Sequence, residues 1–163
     1  MRGGGIFQPA LPHARAMLEN GDWIHVFPEG GISQPPDPTR RFKWGISRLI
    51  LETRILPIVI PIYLSGFDQV MPESRASPRF IPRPGADIAV HFGAPLDSAR
   101  LLAYRDALRG APLPPRPNAP YGHIYPEAPA ALRDGDDPHT AAVRSHLAAY
   151  LRSELLQLGS SST

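Results

Sequence analysis

The stretch that decides the fold is residues 21–31, GDWIHVFPEGG. Its apolar run, residues 23–27, is bounded on both sides by turn-forming residues, and this pattern predicts a buried β-strand. Pro28 fixes the backbone after the strand, and the glycines that follow allow a close turn. We therefore expect Glu29 at the carboxyl end of a strand, where open α/β sheets bind their ligands. The alternative is a strand-ending turn in which Glu29 is merely solvated.

The rest of the chain alternates helical and extended patterns around this stretch. Apolar residues recur at helical spacing in some segments, and β-branched residues form short apolar runs in others. The predicted helices cover residues 9–20, 43–53, 98–109 and 138–158, and the predicted strands cover residues 23–27, 56–64 and 87–92. This order predicts an α/β fold, in which a mixed sheet is flanked by helices and a C-terminal helix follows.

Proline divides the chain into three parts. Eight prolines lie in residues 110–138, which we expect to form a linker or surface insertion. Residues 1–109 then form the main α/β portion, and residues 139–163 form the C-terminal helix and tail. Asp137 is expected to cap this last helix, since proline follows it at the first helical position.

The composition excludes several classes of function. A net charge of +2 over 163 residues gives no strong field for nucleic acid, so we expect no nucleic-acid partner. There is no cysteine, and the six histidines lack metal-ligand spacing, so no metal and no cofactor are expected. The first residues do not resemble a secretory signal, and the longest apolar run, residues 55–64, is too short to span a bilayer. We expect a soluble or membrane-peripheral chain.

A basic cluster precedes the second predicted helix. Arg40, Arg41 and Lys43 lie just before residues whose backbone amides also favour anions, so side chains and helix dipole could hold a phosphate together. Basic residues at a helix start are unfavourable for the helix itself, which is consistent with a ligand that supplies negative charge. The alternative is a solvated basic turn.

Three segments together resemble a known family. Residues 21–30, residues 41–50 and residues 56–61 resemble the tafazzin type of the PlsC-type glycerophospholipid acyltransferase family, and the likeness extends over about residues 3 to 98. The resemblance implies an α/β acyltransferase that moves acyl groups between phospholipids and lysophospholipids without CoA, and that remodels cardiolipin in mitochondria.

The resemblance also assigns site residues. Phe27, Pro28, Glu29 and Gly30 match the block that binds the acyl acceptor, and Pro61 belongs to a later apolar block that shapes the acyl or acceptor cleft. From their charge and position, Arg41 and Lys43 are our candidates for contacts with lipid phosphate.

One motif of the family is missing. Its catalytic His-x-x-x-x-Asp would supply the base and the carboxylate that orients it, yet none of the six histidines has an aspartate five residues downstream. We therefore assign no catalytic residue and expect an incomplete acyltransferase domain that carries the acceptor-binding half.

Three hypotheses follow. The first is a shortened tafazzin-type transacylase, peripheral to a mitochondrial membrane, with phospholipid and lysophospholipid substrates. The second is a non-catalytic lipid-binding fragment or pseudoenzyme, and the third is a soluble phosphate-binding α/β domain unrelated to lipid.

Overall fold

The computed structural model describes residues 8–32, 34, 40–73, 81–115 and 137–161. Helices and strands alternate along this part of the chain, which confirms the α/β class and the C-terminal helix. The elements are α1 (Ala10–Glu19), α2 (Gly45–Glu52), β1 (Ile62–Ser65), α3 (Phe67–Val70), β2 (Ala89–Phe92), α4 (Ser98–Ala107) and α5 (Pro138–Ser161).

Helical periodicity located four of these helices correctly, and the predicted cap of α5 is confirmed. The Asp137 carboxylate accepts hydrogen bonds from the Thr140 backbone N–H at 3.0 Å and from its hydroxyl at 2.6 Å. These two bonds lower the pKa of Asp137 below its usual value. Pro138 then occupies the first turn, where its missing N–H costs no helical hydrogen bond.

The core lies between α2, α4 and α5. Its fully buried members include Leu101 and Tyr104 of α4 and Val143 and Leu147 of α5. Phe42 also enters this core, so the basic segment before α2 is anchored by the apolar side chain within it. The helix that follows the proline-rich segment therefore shares one core with the helices before it.

A half-buried carboxylate fastens three of the helices together. Glu52 at the end of α2 accepts hydrogen bonds from Arg48 at 2.8 Å and from Arg144 of α5 at 2.9 Å, while Arg15 of α1 lies 4.0 Å away. Ser47 adds a buried bond, since its hydroxyl donates to the Arg144 carbonyl at 2.8 Å. The polar contacts of α2 thus fix the position of α5.

The sheet is smaller than the sequence predicts. Strands β1 and β2 pair antiparallel, with Ile62 opposite Phe92 and Leu64 opposite Val90. Residues 56–61 were predicted as strand but carry no ladder, because prolines at 57 and 61 lack the N–H that a ladder needs. Pairing continues there only as two isolated bonds, in which the N–H groups of Gly93 and Leu96 donate to the carbonyls of Pro61 and Val59. In the described part of the chain the sheet is this antiparallel pair rather than a larger mixed sheet.

The prediction of a strand at residues 23–27 is wrong. These residues form neither helix nor ladder, although their exposure alternates as it does in a strand: Trp23, His25 and Phe27 are exposed, while Ile24 and Val26 are half-buried. No backbone N–H of residues 23–26 bonds to the backbone of a residue that the structure describes. The local pattern is that of a strand, but the described chain offers it no partner.

The proline-rich segment lies largely outside the described residues. Residues 111–115 have no regular structure, and residues 116–136 are not described. The two flanking helices meet, since the Nε2 atom of His139 in α5 lies 2.6 Å from the Ala107 carbonyl at the end of α4. The three-part division of the chain stays a prediction.

Candidate functional site

The turn at Glu29 is closed by backbone hydrogen bonds. The Gly30 N–H donates to the Phe27 carbonyl at 3.2 Å, and Gly30 adopts a φ of +64°, a conformation that favours glycine. The Pro28 carbonyl accepts a hydrogen bond from the Lys43 N–H at 2.8 Å. This bond brings the turn against the basic segment, so the two motifs that the sequence singles out are neighbours in space.

Two cationic side chains lie over the glycines of the turn. A Cβ atom at Gly30 would lie 2.8 Å from Cδ of Lys43, and one at Gly31 would lie 2.9 Å from Nη1 of Arg40. Real Cβ atoms are essentially never that close to other atoms, so both positions need glycine for these side chains to pack where they do. The turn is therefore a concentration of positive charge held directly against backbone.

Glu29 lies half-buried beside these cations. Its partial burial raises the pKa of the carboxyl above the usual value. A hydrogen bond from the Arg40 backbone and the charges of Arg152 and Arg40 act in the opposite direction. The carboxyl is thus partly shielded from solvent and lies in the field of two arginines, and its oxygens can accept hydrogen bonds from hydroxyl groups.

The sequence reasoning missed Arg152, a buried cation whose charge acts on Glu29. It belongs to α5, with only 3% of its surface exposed, and its charge acts on the Glu29 carboxyl. Arg152 directly follows Leu151, one of the buried apolar residues of α5. Its position could have drawn attention to it, because arginine is almost never fully buried without a polar partner. The C-terminal helix therefore contributes to the site as well as to the core.

Arg41 and Pro61 are placed differently from the other candidates. Arg41 is exposed, as Arg40 and Lys43 are, but the buried Phe42 separates it from Lys43 along the chain. Pro61 lines a separate groove of about 330 Å³ between α5 and the segment that follows β2. The lining of that groove includes Gly93, Tyr150 and Leu158 and does not include Glu29 or Lys43. The structure brings Phe27, Pro28, Glu29, Gly30 and Lys43 together and adds Arg40. Pro61 lies at another surface, and no contact joins Arg41 to the turn in the described part of the chain.

The histidines that flank the site lie at the surface or at the sheet. His25 is exposed, with its ring centroid 4.7 Å from that of Phe27. His91 is half-buried in β2, where Nε2 lies 3.4 Å from the Ser65 hydroxyl. In the described ranges, no three histidine, aspartate or glutamate residues are grouped so that they could hold a metal ion. No helix within those ranges is long and apolar enough to cross a membrane.

Comparison with known proteins gives consistent matches. Residues 8–65 match a family model described as Acyltransferase. The chain is 41% identical over 98 residues to an N-acylphosphatidylethanolamine synthase of Arabidopsis thaliana, a match that covers 59% of this chain and 34% of the relative. It is 36% identical over 97 residues to a tafazzin of Drosophila melanogaster, covering 60% of this chain and 25% of the relative. It is 42% identical over 91 residues to a tafazzin of Saccharomyces cerevisiae, covering 51% and 24%. The matches thus span about a third or less of the length of these curated relatives.

Proposed function

We propose that this chain carries part of a tafazzin-like acyltransferase domain, and that it binds the acyl acceptor in a phospholipid–lysophospholipid transacylase. The acceptor is a lysophospholipid, which offers a glycerol hydroxyl next to a phosphate. The full protein transfers an acyl group to that hydroxyl from a second phospholipid, without CoA. By resemblance to the tafazzins, the reaction belongs to cardiolipin remodelling at a mitochondrial membrane, to which the protein attaches peripherally.

The observation that carries this proposal is the packing of Lys43 and Arg40 over the glycine turn beside Glu29. Ammonium and guanidinium groups form strong, charge-assisted hydrogen bonds with phosphate oxygens. The Glu29 carboxyl accepts hydrogen bonds from hydroxyl groups. A lysophospholipid head group presents both partners at once, a phosphate for the cations and a hydroxyl for the carboxyl.

The transfer exchanges one ester bond for another. The acceptor hydroxyl oxygen bonds to the acyl carbonyl carbon of the donor, and the ester C–O bond of the donor breaks. The proton of the hydroxyl ends on the departing glycerol oxygen, so the donor leaves as a lysophospholipid. In this reaction, residues 27–30 and Lys43 bind and orient the acceptor, and orientation of reacting groups supplies a large part of such rate enhancements.

A non-catalytic lipid-binding fragment is the second candidate. It is favoured by one observation, that no histidine of the chain has an aspartate five residues downstream. A positioned general base contributes on the order of 10²–10⁴-fold to rate. A chain that binds acceptor without such a base would retain affinity and lose turnover.

Binding is tested first, with a water-soluble fluorescent lysophospholipid and the full chain. We expect Lys43→Gln to weaken the affinity by about tenfold or more, because hydrogen bonds to charged groups contribute about 1.5–3 kcal/mol. Arg109→Gln, at an exposed arginine of the α4 terminus, is the matched control and should bind as the wild type does. Equal affinity of all three proteins would refute the acceptor site.

Turnover is tested in parallel, with a labelled phospholipid donor and no CoA. Transfer that is lost in Glu29→Ala supports the transacylase. Binding without transfer supports the non-catalytic alternative, and binding of inorganic phosphate as tight as that of the lysophospholipid supports a phosphate-binding domain unrelated to lipid.

A further inference from the structure

The groove of about 330 Å³ that lies apart from Glu29 runs between α5 and the segment that joins β2 to α4. Tyr150, Glu154 and Leu158 line it from α5, where intervals of four residues place them on one side of the helix. Residues 93–97 form the other wall, and two backbone hydrogen bonds to residues 59–61 hold this segment in place. The volume lies within the range of about 300–1,000 Å³ that is usual for small-molecule sites.

Each wall of the groove carries one carboxylate. Asp97 precedes α4, where its Oδ1 atom accepts the Ala99 N–H at 2.9 Å and its Oδ2 atom takes no part in this cap. Glu154 is half-buried on α5. In the described part of the chain, neither carboxylate has an ion-pair partner within 4.0 Å. The groove therefore holds negative charge that no described side chain neutralises by direct contact.

A buried phenol lies near both carboxylates. Tyr150 is only 3% exposed, and its ring packs against the Arg100 guanidinium, 4.3 Å from the ring centroid, and against Tyr104. Burial raises the pKa of the Tyr150 phenol, the charges of Glu154 and Asp97 raise it further, and the charge of Arg100 opposes them. The Tyr150 hydroxyl nevertheless forms no hydrogen bond with a residue that the structure describes. Because buried polar groups are normally paired, this hydroxyl indicates a partner from outside the described chain.

These three groups determine which chemistry fits the groove. Carboxylate oxygens and a phenol oxygen all accept hydrogen bonds, and the carboxylates also attract positive charge. An ammonium group has three N–H donors and a positive charge, so it can serve all three groups at once. Within the described ranges, no three histidine, aspartate or glutamate residues are placed to hold a metal ion, which favours an organic cation. Leu96 and Leu158 add apolar surface beside the carboxylates, as an alkyl chain requires.

We propose that this groove binds an aliphatic primary amine, with its ammonium group among Asp97, Glu154 and the Tyr150 hydroxyl and its alkyl chain against Leu96 and Leu158. The amine is either a free alkylamine or the amino group of a lipid head group, since both present the same donors. The groove does not include Glu29 or Lys43, so the inference does not depend on the acceptor site.

The first test is isothermal titration calorimetry of the full chain with n-pentylamine at about pH 7. We expect saturable one-to-one binding. Trimethylpentylammonium keeps the charge but has no N–H donor, and 1-pentanol keeps the chain but has no charge. Both should bind about tenfold more weakly or worse, because hydrogen bonds between charged groups are lost. Absence of saturable pentylamine binding, or equal affinity for trimethylpentylammonium, would overturn the inference.

Variants then locate the binding. Glu154→Gln and Asp97→Asn should each weaken pentylamine binding by about tenfold or more, and asparagine is as good a helix cap as aspartate, so α4 is preserved. Asp106→Asn, at an exposed carboxylate of α4 outside the groove, is the matched control and should bind as the wild type does. Circular dichroism checks that each variant folds. An equal loss in Asp106→Asn, or no loss in Glu154→Gln and Asp97→Asn, would place the amine elsewhere and refute the site.

A pair of lipids identifies the source of the amine. Water-soluble phosphatidylethanolamine and phosphatidylcholine with the same short acyl chains differ in whether the nitrogen carries N–H donors. A preference for the ethanolamine lipid that disappears in Glu154→Gln supports a lipid head group, and pentylamine binding without this preference supports a free amine. Pentylamine has neither a phosphate nor a glycerol hydroxyl, so failure of this test is distinguishable from failure of the acceptor site.

Discussion

At the scale of a single residue, the Glu29 carboxyl, which we propose binds the acceptor, also affects the stability of the fold. Burial raises its pKa above the ordinary 4.5, so the folded chain binds this proton more tightly than the unfolded chain does. The free energy of unfolding therefore falls as pH rises from the ordinary value through the folded value, and is level above it. The carboxylate that we propose binds the acceptor thus costs stability at neutral pH.

We expect Glu29→Gln to unfold at a higher temperature than the wild type at about pH 7, with no such advantage below about pH 4. Thermal unfolding followed by circular dichroism at the two pH values measures this. Asp106→Asn corrects for the general effect of removing an exposed carboxylate. A variant that is less stable at neutral pH would mean that attraction by Arg40 and Arg152 outweighs burial.

Gly30 is constrained both by its backbone conformation and by the Lys43 side chain packed against it. We expect Gly30→Ala to lower the free energy of unfolding by about 1–2 kcal/mol, since a side chain at positive φ is strained, and also to weaken lysophospholipid binding by displacing Lys43. Gly85→Ala is the control, because Gly85 has a φ of +79° with no atom within 4 Å of an added Cβ. Urea denaturation should show a similar loss in the free energy of unfolding for both variants. Fluorescence anisotropy should show that only Gly30→Ala binds the lysophospholipid more weakly. Equal affinities of the two variants would show that the position of Lys43 does not affect lysophospholipid binding.

At the scale of elements, Glu52 holds α5 in place. We expect Glu52→Gln to lower the free energy of unfolding by about 2 kcal/mol, somewhat below the 3–5 kcal/mol typical of a fully buried pair, because Glu52 is partly exposed. Amide hydrogen exchange should become faster in α5 than in the other helices. Glu19→Gln, at the more exposed carboxylate that bonds the Arg54 N–H at 3.0 Å, should cost less than about 1 kcal/mol. Similar losses in both variants would show that α5 is held by its apolar contacts alone.

The elements that the sequence located correctly are those that local interactions determine. The helices follow from apolar periodicity, and the start of α5 follows from Asp137 and Pro138. A β-strand also needs a neighbouring strand to bond with. Residues 23–27 have the alternating exposure of a strand but form no backbone ladder in the described part of the chain. Glu29 and Lys43 were each singled out from the sequence, but their contact depends on the hydrogen bond between the Lys43 N–H and the Pro28 carbonyl, which sequence patterns do not show. Arg152 was missed because only the packing of a distant helix brings it to the site.

At the scale of the whole molecule, the segment that matches the acyltransferase family model shares its core with the helices that follow it. Phe42, Ile50 and Leu51 pack against Leu147 and the other buried residues of α4 and α5. We expect Leu147→Ala to lower the free energy of unfolding by about 2–5 kcal/mol, and to quicken amide exchange in α2 as well as in α5. Leu102→Ala, at an exposed position of α4, should cost far less. Loss of protection confined to α5 would show that residues 8–65 fold without it.

The contact between His139 and Ala107 has a consequence for the length of the chain between them. The chain leaves α4 at Ala107 and returns to it at His139, so residues 108–138 connect two points that are already in contact. The entropy of closing such a loop changes by only about 0.6 kcal/mol for each doubling of its length. Replacing residues 116–136 by a short glycine-serine bridge, or inserting a fluorescent protein there, should leave the melting temperature nearly unchanged. The connection is thus a natural place to attach a reporter at a distance in sequence from the proposed acceptor site.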